Sequence, residues 1–293
     1  MAAKNARESH IVLPDRRMLA YAEYGPSDGH PVLYCHGFPS SRLEAQLWQP
    51  AADALGVRVI APDRPGYGSS DPCPGRTLAD FAADAVVLLD RLGIGQVGVL
   101  GISGGGPYAL ALLALAPERV AGAALVCALG PPEALAAVHD RLAPFLRRAW
   151  RVAQHGPALI PFWAGVGAQA LRLRSRVAFN AQFVAGADLM VLADPDIQGL
   201  LRRSQREGLR RGAVGAARDL VLYLRPWRFR LSSISTVITI WHGQADRLVP
   251  VDMAYELASR LTHGDLRVLA GEGHYSLPVR CQNEIMKSVL RDT

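Results

Sequence analysis

The chain has 293 residues, half of them hydrophobic, and a formal net charge of +6 from 32 basic and 26 acidic side chains. This length suits one large domain with an insertion, and no apolar run approaches the roughly 20 residues that a membrane span needs. The eight histidines and the four cysteines show neither H-x-x-x-H nor C-x-x-C spacing, so we expect no metal site and no disulfide framework.

Taken in chain order, the sequence alternates between strand-like and helix-like runs. Residues 1–17 are polar and contain no apolar signal segment, which predicts a cytoplasmic protein. Thr77 can cap a helix whose apolar residues recur at helical spacing up to Gly93. The alternation predicts an α/β fold with a mostly parallel, doubly wound sheet. The predicted strands are residues 17–24, 31–35, 57–61, 96–100, 120–129, 236–241 and 266–269, and the predicted helices are residues 77–92, 107–116, 250–261 and 279–290.

The pentapeptide G-x-S-x-G at residues 101–105 lies between a predicted strand and a predicted helix. A serine at such a sharp turn adopts strained backbone geometry, and small neighbours are needed because larger side chains would collide. The helix that follows directs its free N–H groups and its positive dipole end to the same place. The pattern therefore predicts that Ser103 is a nucleophile.

A dinucleotide-binding loop is the competing interpretation of this stretch. Residues 104–109 fit G-x-G-x-x-A between a strand and a helix. Such a loop needs an acidic residue at the end of the next strand to hold a ribose, but no carboxylate occurs there before Glu133. The sequence therefore disfavours nucleotide binding.

A base and an acid follow Ser103 in the order that this type of turn requires. Asp246 and His274 each lie on a turn just beyond a predicted strand, which is where catalytic groups collect in an open α/β sheet. Serine is a weak nucleophile alone, so it needs a histidine to remove its proton and a carboxylate to orient that histidine. Glu133, soon after the sixth strand, is the alternative to Asp246 as the acid.

These motifs resemble the α/β-hydrolase family over nearly the whole chain. The segment His36-Gly37-Phe38-Pro39 and residues 63–70, with the pattern D-x-x-G-x-G-x-S, add to the resemblance. The resemblance implies an oxyanion hole made by the backbone amides of Phe38 and Gly104. We expect Asp63 and Arg64 to pair locally and hold a sharp turn, because the glycines around them demand special backbone angles. We expect His36 to be a structural residue beneath the oxyanion loop and not a second base.

The resemblance further implies a helical cap inserted after the sixth strand. We expect a first part of the core at residues 1–129, a cap at 130–232 and a second part of the core at 233–293. Residues 130–230 contain 16 arginines, no lysine and 7 acidic residues, a balance of +9. This charge could favour an anionic substrate. The other interpretation, which we favour, is a solvated surface in a chain that uses arginine in place of lysine.

The expected function is that of a serine esterase or lactonase that forms an acyl-enzyme on a small, mostly apolar substrate, with no cofactor. Because family members that cleave epoxides or haloalkanes use aspartate in the place of Ser103, those activities are disfavoured. The alternatives are hydrolysis of C–C bonds in ring-cleavage diketones, a proline-iminopeptidase-like aminopeptidase, and a non-catalytic ligand receptor. Neither nucleic-acid binding nor membrane insertion is expected, and the sequence leaves the oligomeric state open.

Overall fold

The computed structural model describes residues 6–142 and 186–290, with a few isolated positions between these ranges. The described residues form one sheet of eight strands in the order β1-β2-β4-β3-β5-β6-β7-β8. Strands β3 to β8 are parallel, while β1 and β2 pair antiparallel at one edge. The strands are β1 (Arg7–Val12), β2 (Met18–Tyr24), β3 (His30–Cys35), β4 (Val57–Pro62), β5 (Val97–Ile102), β6 (Val120–Val126), β7 (Ile238–Gly243) and β8 (Gly264–Leu269).

This architecture confirms the predicted α/β fold with a mostly parallel sheet. Strand β1 has no counterpart among the predicted strands, because its residues are mostly exposed and lack the apolar pattern of an inner strand. By contrast, every residue of the central strand β5 is buried, since apolar layers cover both faces of a parallel sheet. The completely buried strand β5 carries the chain directly to the serine turn.

The helices pack on the two faces of the sheet and cover two apolar layers. Helix α2 begins at a capping box in which the Thr77 hydroxyl accepts from the Asp80 amide and the Asp80 carboxylate accepts from the Thr77 amide. The predicted cap at Thr77 is therefore confirmed. The α-helices of the described residues are α1 (Gln49–Leu55), α2 (Leu78–Arg91), α3 (Gly106–Leu115), α4 (Pro132–Ala137), α5 (Gly186–Leu192), α6 (Pro195–Gly208), α7 (Val214–Tyr223), α8 (Asp252–Arg260), α9 (Ser276–Arg280) and α10 (Gln282–Val289).

The long insertion lies between β6 and β7, and its described part contains helices α4 to α7 but no strand. Most of the predicted cap between residues 143 and 185 lies outside the described residues. Helix α6 packs on the short 3-10 helix Arg42–Trp48 next to the serine turn. Within the described part of the chain, no helix combines the length and apolarity needed to cross a membrane.

Candidate active site

Ser103 lies at the turn between β5 and α3. Its φ angle is +51°, in the left-handed region that residues with a side chain rarely adopt. Such a conformation costs on the order of 1–3 kcal/mol and persists only where the surrounding structure fixes it. A short 3-10 turn (Ser103–Gly105) then leads into α3, so that Ser103 stands at the start of a helical segment.

The glycines on either side of Ser103 are required by close contacts. A Cβ atom on Gly101 would lie 2.8 Å from the Cβ of Ala109 in α3. On Gly105, a Cβ atom would overlap the backbone carbonyls of Cys35 and His36 at the end of β3. These contacts give the physical reason for the small residues on which the sequence prediction depends.

The structure brings Ser103, His274 and Asp246 together, although they lie on three different turns. His274 Nε2 lies 3.1 Å from Ser103 Oγ, and His274 Nδ1 lies 2.7 Å from Asp246 Oδ2. The other carboxylate oxygen of Asp246 accepts hydrogen bonds from the Leu248 and Val249 amides at 2.8 and 2.9 Å. Both carboxylate oxygens therefore have partners, which holds Asp246 in the orientation that contacts the imidazole.

Charge and burial act together on the pKa values of this group. Burial alone would lower the pKa of His274, but the charge and hydrogen bond of Asp246 outweigh it and raise that pKa above its usual value. Burial raises the pKa of Asp246, yet His274 and the neighbouring donors reverse this and keep that pKa below its usual value. Asp246 is therefore ionised near neutral pH, where it favours the protonated form of His274.

His242 is a buried neighbour of the same carboxylate. Its Nε2 lies 2.9 Å from the Val249 carbonyl and 3.5 Å from Asp246 Oδ2. Burial lowers the pKa of His242, which favours the neutral imidazole. The structure thus places His242 as a packing residue beside Asp246.

Asp188, in helix α5 of the insertion, holds the backbone around His274. Its completely buried carboxylate accepts hydrogen bonds from the amides of His274, Tyr275 and Ser276 at 3.1, 2.9 and 2.8 Å. These amides lie at the start of α9, where the first N–H groups of a helix have no carbonyl partner within the helix. Sequence reasoning did not find Asp188, since no local pattern connects it with a residue 86 positions away.

Phe38 and Gly104 lie against each other beside Ser103. A Cβ atom on Gly104 would be 2.6 Å from the Cβ of Phe38 and 2.6 Å from the hydroxyl of Tyr223, which lies in α7. The Tyr223 hydroxyl is also 2.8 Å from the Gly104 carbonyl oxygen, and its ring packs edge-on against Phe38 at 5.7 Å between centroids. Residue 104 is therefore glycine because Tyr223 occupies the space that a side chain would fill.

The expected local pair between Asp63 and Arg64 is wrong. Asp63 instead pairs with Arg42 at 2.6 Å, and Arg64 pairs at 3.0 Å with Asp219 in the insertion. Consecutive residues at the end of a strand point to opposite faces of a sheet, so the two side chains face different neighbours.

Asp219 is the centre of a completely buried network beneath the loop at residues 36–39. It accepts hydrogen bonds from Tyr67 and Tyr108 at 2.9 and 2.5 Å, and it pairs with Arg64 and Arg76. Burial raises its pKa, but the two arginines outweigh this and lower that pKa to about 2. Arg64 in turn donates to the carbonyls of His36 and Gly37. His36, also completely buried, supports the loop and does not reach Ser103.

We expect Asp219→Asn to lower the free energy of unfolding by about 3–5 kcal/mol, because it leaves two buried guanidinium groups without a countercharge. Asp90 provides the matched control: it pairs with Arg119 at 2.8 Å but its side chain is 60% exposed. Asp90→Asn should cost less than about 1 kcal/mol. Chemical denaturation of both variants measures the difference, and equal losses would contradict a structural role for the network.

Ser103 and His274 line a cavity of about 90 Å³. Its described lining contains no arginine or lysine. Arg203, Arg206 and Arg210 of the insertion are exposed to solvent. These arginines therefore lie outside the lining of the cavity. The lining includes apolar residues (Leu47, Trp48, Ile102, Pro278, Val279) and polar residues (Tyr34, Ser40, Glu44, Gln205).

Cys127 is the residue at the end of β6 that approaches the acid and the base. Its thiol, Asp246 and His274 place potential metal-ligand atoms within 4.8 Å of one another, the one such group among the described residues. Burial and the neighbouring carboxylate raise the pKa of Cys127, which disfavours the thiolate that binds metals. Glu133, the alternative acid, is exposed in the first turn of α4 and does not contact His274.

The fold and this site together define a class: an open α/β sheet that presents a strained serine, with a histidine and an aspartate within hydrogen-bonding distance. The chain matches the alpha/beta hydrolase fold family over residues 30–280. It therefore belongs to the α/β-hydrolase family.

Three known proteins illustrate the similarity. A non-heme chloroperoxidase from Streptomyces lividans is 37% identical over 123 residues, which are 41% of this chain and less than half (45%) of that protein. A non-heme chloroperoxidase from Burkholderia pyrrocinia is 26% identical over 92% of this chain and 94% of its own. The structure of an esterase from Exiguobacterium antarcticum superposes with a TM-score of 0.67 at 18% identity, covering 96% of this chain and 97% of that one. At this identity the structural likeness concerns the fold alone.

Proposed function

We propose that this protein is a serine hydrolase that cleaves a small, mostly apolar carboxylic ester or lactone through an acyl-enzyme. The observation that carries the proposal is the pair of contacts at His274, 3.1 Å to Ser103 Oγ and 2.7 Å to Asp246. A nucleophile and a base at this separation, with the base oriented by a third group, are the arrangement that activates serine. An intact set of three groups also supports catalysis over a ligand receptor.

In the proposed reaction, Ser103 Oγ attacks the ester carbonyl carbon while His274 Nε2 takes the hydroxyl proton. The carbonyl oxygen becomes an oxyanion that the backbone amides of Phe38 and Gly104 bind. When the intermediate collapses, His274 gives its proton to the leaving alcohol and an acyl-serine remains. Water then attacks the acyl carbon while His274 takes its proton, and His274 returns that proton to Ser103 Oγ as the bond between Oγ and the acyl carbon breaks and the carboxylic acid leaves. In a lactone, the leaving alcohol stays attached to the same molecule.

The size of the cavity favours short acyl chains. A cavity of about 90 Å³ is smaller than the roughly 150 Å³ cavity that accommodates benzene in an engineered protein. We therefore expect kcat/KM on p-nitrophenyl esters to be highest for acetate to butanoate and to fall at least about tenfold for decanoate, because longer chains extend beyond the cavity that the described residues form. A preference that keeps rising to decanoate would contradict this use of the cavity.

The same screen tests the function itself. It is run beside an aminoacyl-anilide panel for aminopeptidase activity and a peroxide-dependent halogenation assay suggested by the names of the relatives. An active-serine phosphonate probe, located by peptide mapping, reports whether Ser103 reacts. Ester turnover with labelling at Ser103 supports the proposal. Labelling elsewhere, or turnover of anilides alone, would contradict it.

A further inference from the structure

The lining of the cavity contains a carboxylate to which the proposed acyl transfer gives no role. Glu44 lies in the 3-10 helix Arg42–Trp48 and lines the same cavity as Ser103 and His274. In a site meant only for apolar esters, a carboxylate at this position is costly, because charged groups are poorly stabilised away from water. Glu44 therefore needs an explanation of its own.

The neighbours of Glu44 are neutral hydrogen-bond donors. Its Oε2 atom accepts from the Gly37 amide at 2.6 Å and from the Tyr34 hydroxyl at 2.9 Å. Among the described residues, no lysine or arginine forms a salt bridge with it. Burial raises the pKa of Glu44, and the hydrogen bonds from Gly37 and Tyr34 offset only part of that rise. The cavity thus contains a carboxylate that no described arginine or lysine pairs with directly, although the charge of Arg64 acts on it from farther away.

Two aromatic rings line the same cavity as Glu44. Tyr34 and Trp48 both line it, with ring centroids 6.4 Å apart. Aromatic faces attract cations, and a carboxylate beside them adds a charge-assisted partner. An anionic substrate group, which the basic insertion could favour by charge alone, would meet repulsion from Glu44 in this place.

A purely structural role explains only part of this arrangement. Glu44 holds the Gly37 amide, and Gly37 precedes Phe38, so it contributes to the position of the proposed oxyanion loop. A glutamine would keep an acceptor for that amide without the cost of a buried charge. The charge itself is what remains to be explained.

We propose that Glu44 selects substrates that carry a cationic amine beside the scissile ester, with Tyr34 and Trp48 packing around the amine. This inference rests on the proposed function and narrows its substrate class. A protonated tertiary amine supplies one N–H donor to the carboxylate and two alkyl groups to the rings. Glu44 acts as a specificity-determining residue, and the acyl transfer itself remains with Ser103 and His274.

The test compares esters of equal shape with and without the charge at pH 7. On the alcohol side the pair is 2-(dimethylamino)ethyl butanoate and 3-methylbutyl butanoate. On the acyl side it is ethyl 3-(dimethylamino)propanoate and ethyl 4-methylpentanoate. We expect the wild-type protein to favour the cationic ester about tenfold or more in kcat/KM in at least one pair, as for a hydrogen bond between charged groups.

Glu44→Gln removes the charge and keeps the acceptor for the Gly37 amide. We expect the cationic preference, which is the ratio of kcat/KM for the cationic ester to kcat/KM for the neutral ester, to fall to about one in this variant. Glu118→Gln, at an exposed position, should leave both values unchanged. Rates for the neutral ester also report whether the variant is folded.

Three results would overturn the inference. A wild-type ratio at or below one in both pairs excludes cation selection, even if Glu44→Gln does not fold. An unchanged ratio in Glu44→Gln assigns the preference to another residue. Equal losses of kcat/KM for both esters in Glu44→Gln would mean that Glu44 only positions the loop at Gly37 and Phe38. By contrast, failure of the proposed function would appear as no turnover of either neutral ester and no labelling of Ser103 in the wild-type protein.

Discussion

Ser103→Ala is expected to fold normally and to lose turnover of the best ester by several orders of magnitude. Its Oγ atom is the group that lies 3.1 Å from His274 Nε2, and serine and histidine act as a unit in this chemistry. A residual rate above that of water should remain, because the proposed oxyanion hole of the Phe38 and Gly104 amides is unchanged in this variant. Steady-state kinetics and phosphonate labelling, each on the purified variant, measure the two losses.

Ser9→Ala is the matched control, since Ser9 is an exposed serine on the edge strand β1. It should keep both turnover and labelling. Circular dichroism and the denaturation midpoint should agree among the wild-type protein and the two variants. If labelling or more than about a tenth of the turnover survives in Ser103→Ala, Ser103 is not the nucleophile.

Much of the fold and the grouping of the site follow from local sequence patterns. The carboxyl ends of parallel strands meet at one edge of a sheet, so residues just beyond β5, β7 and β8 must come together there. Ser103, Asp246 and His274 are such residues, and the contacts at His274 agree with that expectation. The strand-like runs are sufficient for this prediction because the strands of the inner sheet are short and alternate with helices along the chain.

The supports of the site could not be predicted, because they depend on pairs that are far apart in the chain. Asp188 reaches the amides beyond His274, and Asp219 joins Arg64 across 155 positions. An aspartate inside a helix carries no local sign that it is completely buried, as both of these are. The predicted pair of Asp63 and Arg64 is wrong for the same reason, because residues adjacent in the sequence need not contact each other in the fold.

The predicted cap shows a second limit of prediction from sequence: the net charge of a segment does not tell where its charged side chains lie in the fold. The balance of +9 in residues 130–230 could favour an anionic substrate. The described lining of the cavity instead contains Glu44 and neither arginine nor lysine. Side chains on opposite faces of a helix meet different surroundings, and only a structure separates them.

Asp246→Asn should lower kcat by roughly 10³–10⁴ while leaving the fold intact. An asparagine can donate to His274 Nδ1, which fixes the imidazole in the tautomer that cannot accept the serine proton. It also removes the charge that raises the pKa of His274 and stabilises its protonated form. His274 must be neutral to act as a base. In the wild-type protein, the acid limb of the pH profile of kcat/KM should therefore lie at a higher pH than a free histidine would give. It should move to lower pH in the variant.

Glu133→Gln is the control for that result, because Glu133 is the other acid that the sequence offers after the sixth strand. It is exposed on α4, away from the hydrogen bond of 2.7 Å that joins His274 to Asp246. We expect it to cost less than about tenfold in kcat, with an unchanged acid limb. Pre-steady-state bursts on p-nitrophenyl acetate locate the loss in Asp246→Asn at acylation. A large loss in Glu133→Gln together with a small one in Asp246→Asn would assign the acid to the end of β6. If the acid limb does not move when Asp246 is neutralised, the charge of Asp246 does not raise the pKa of the base.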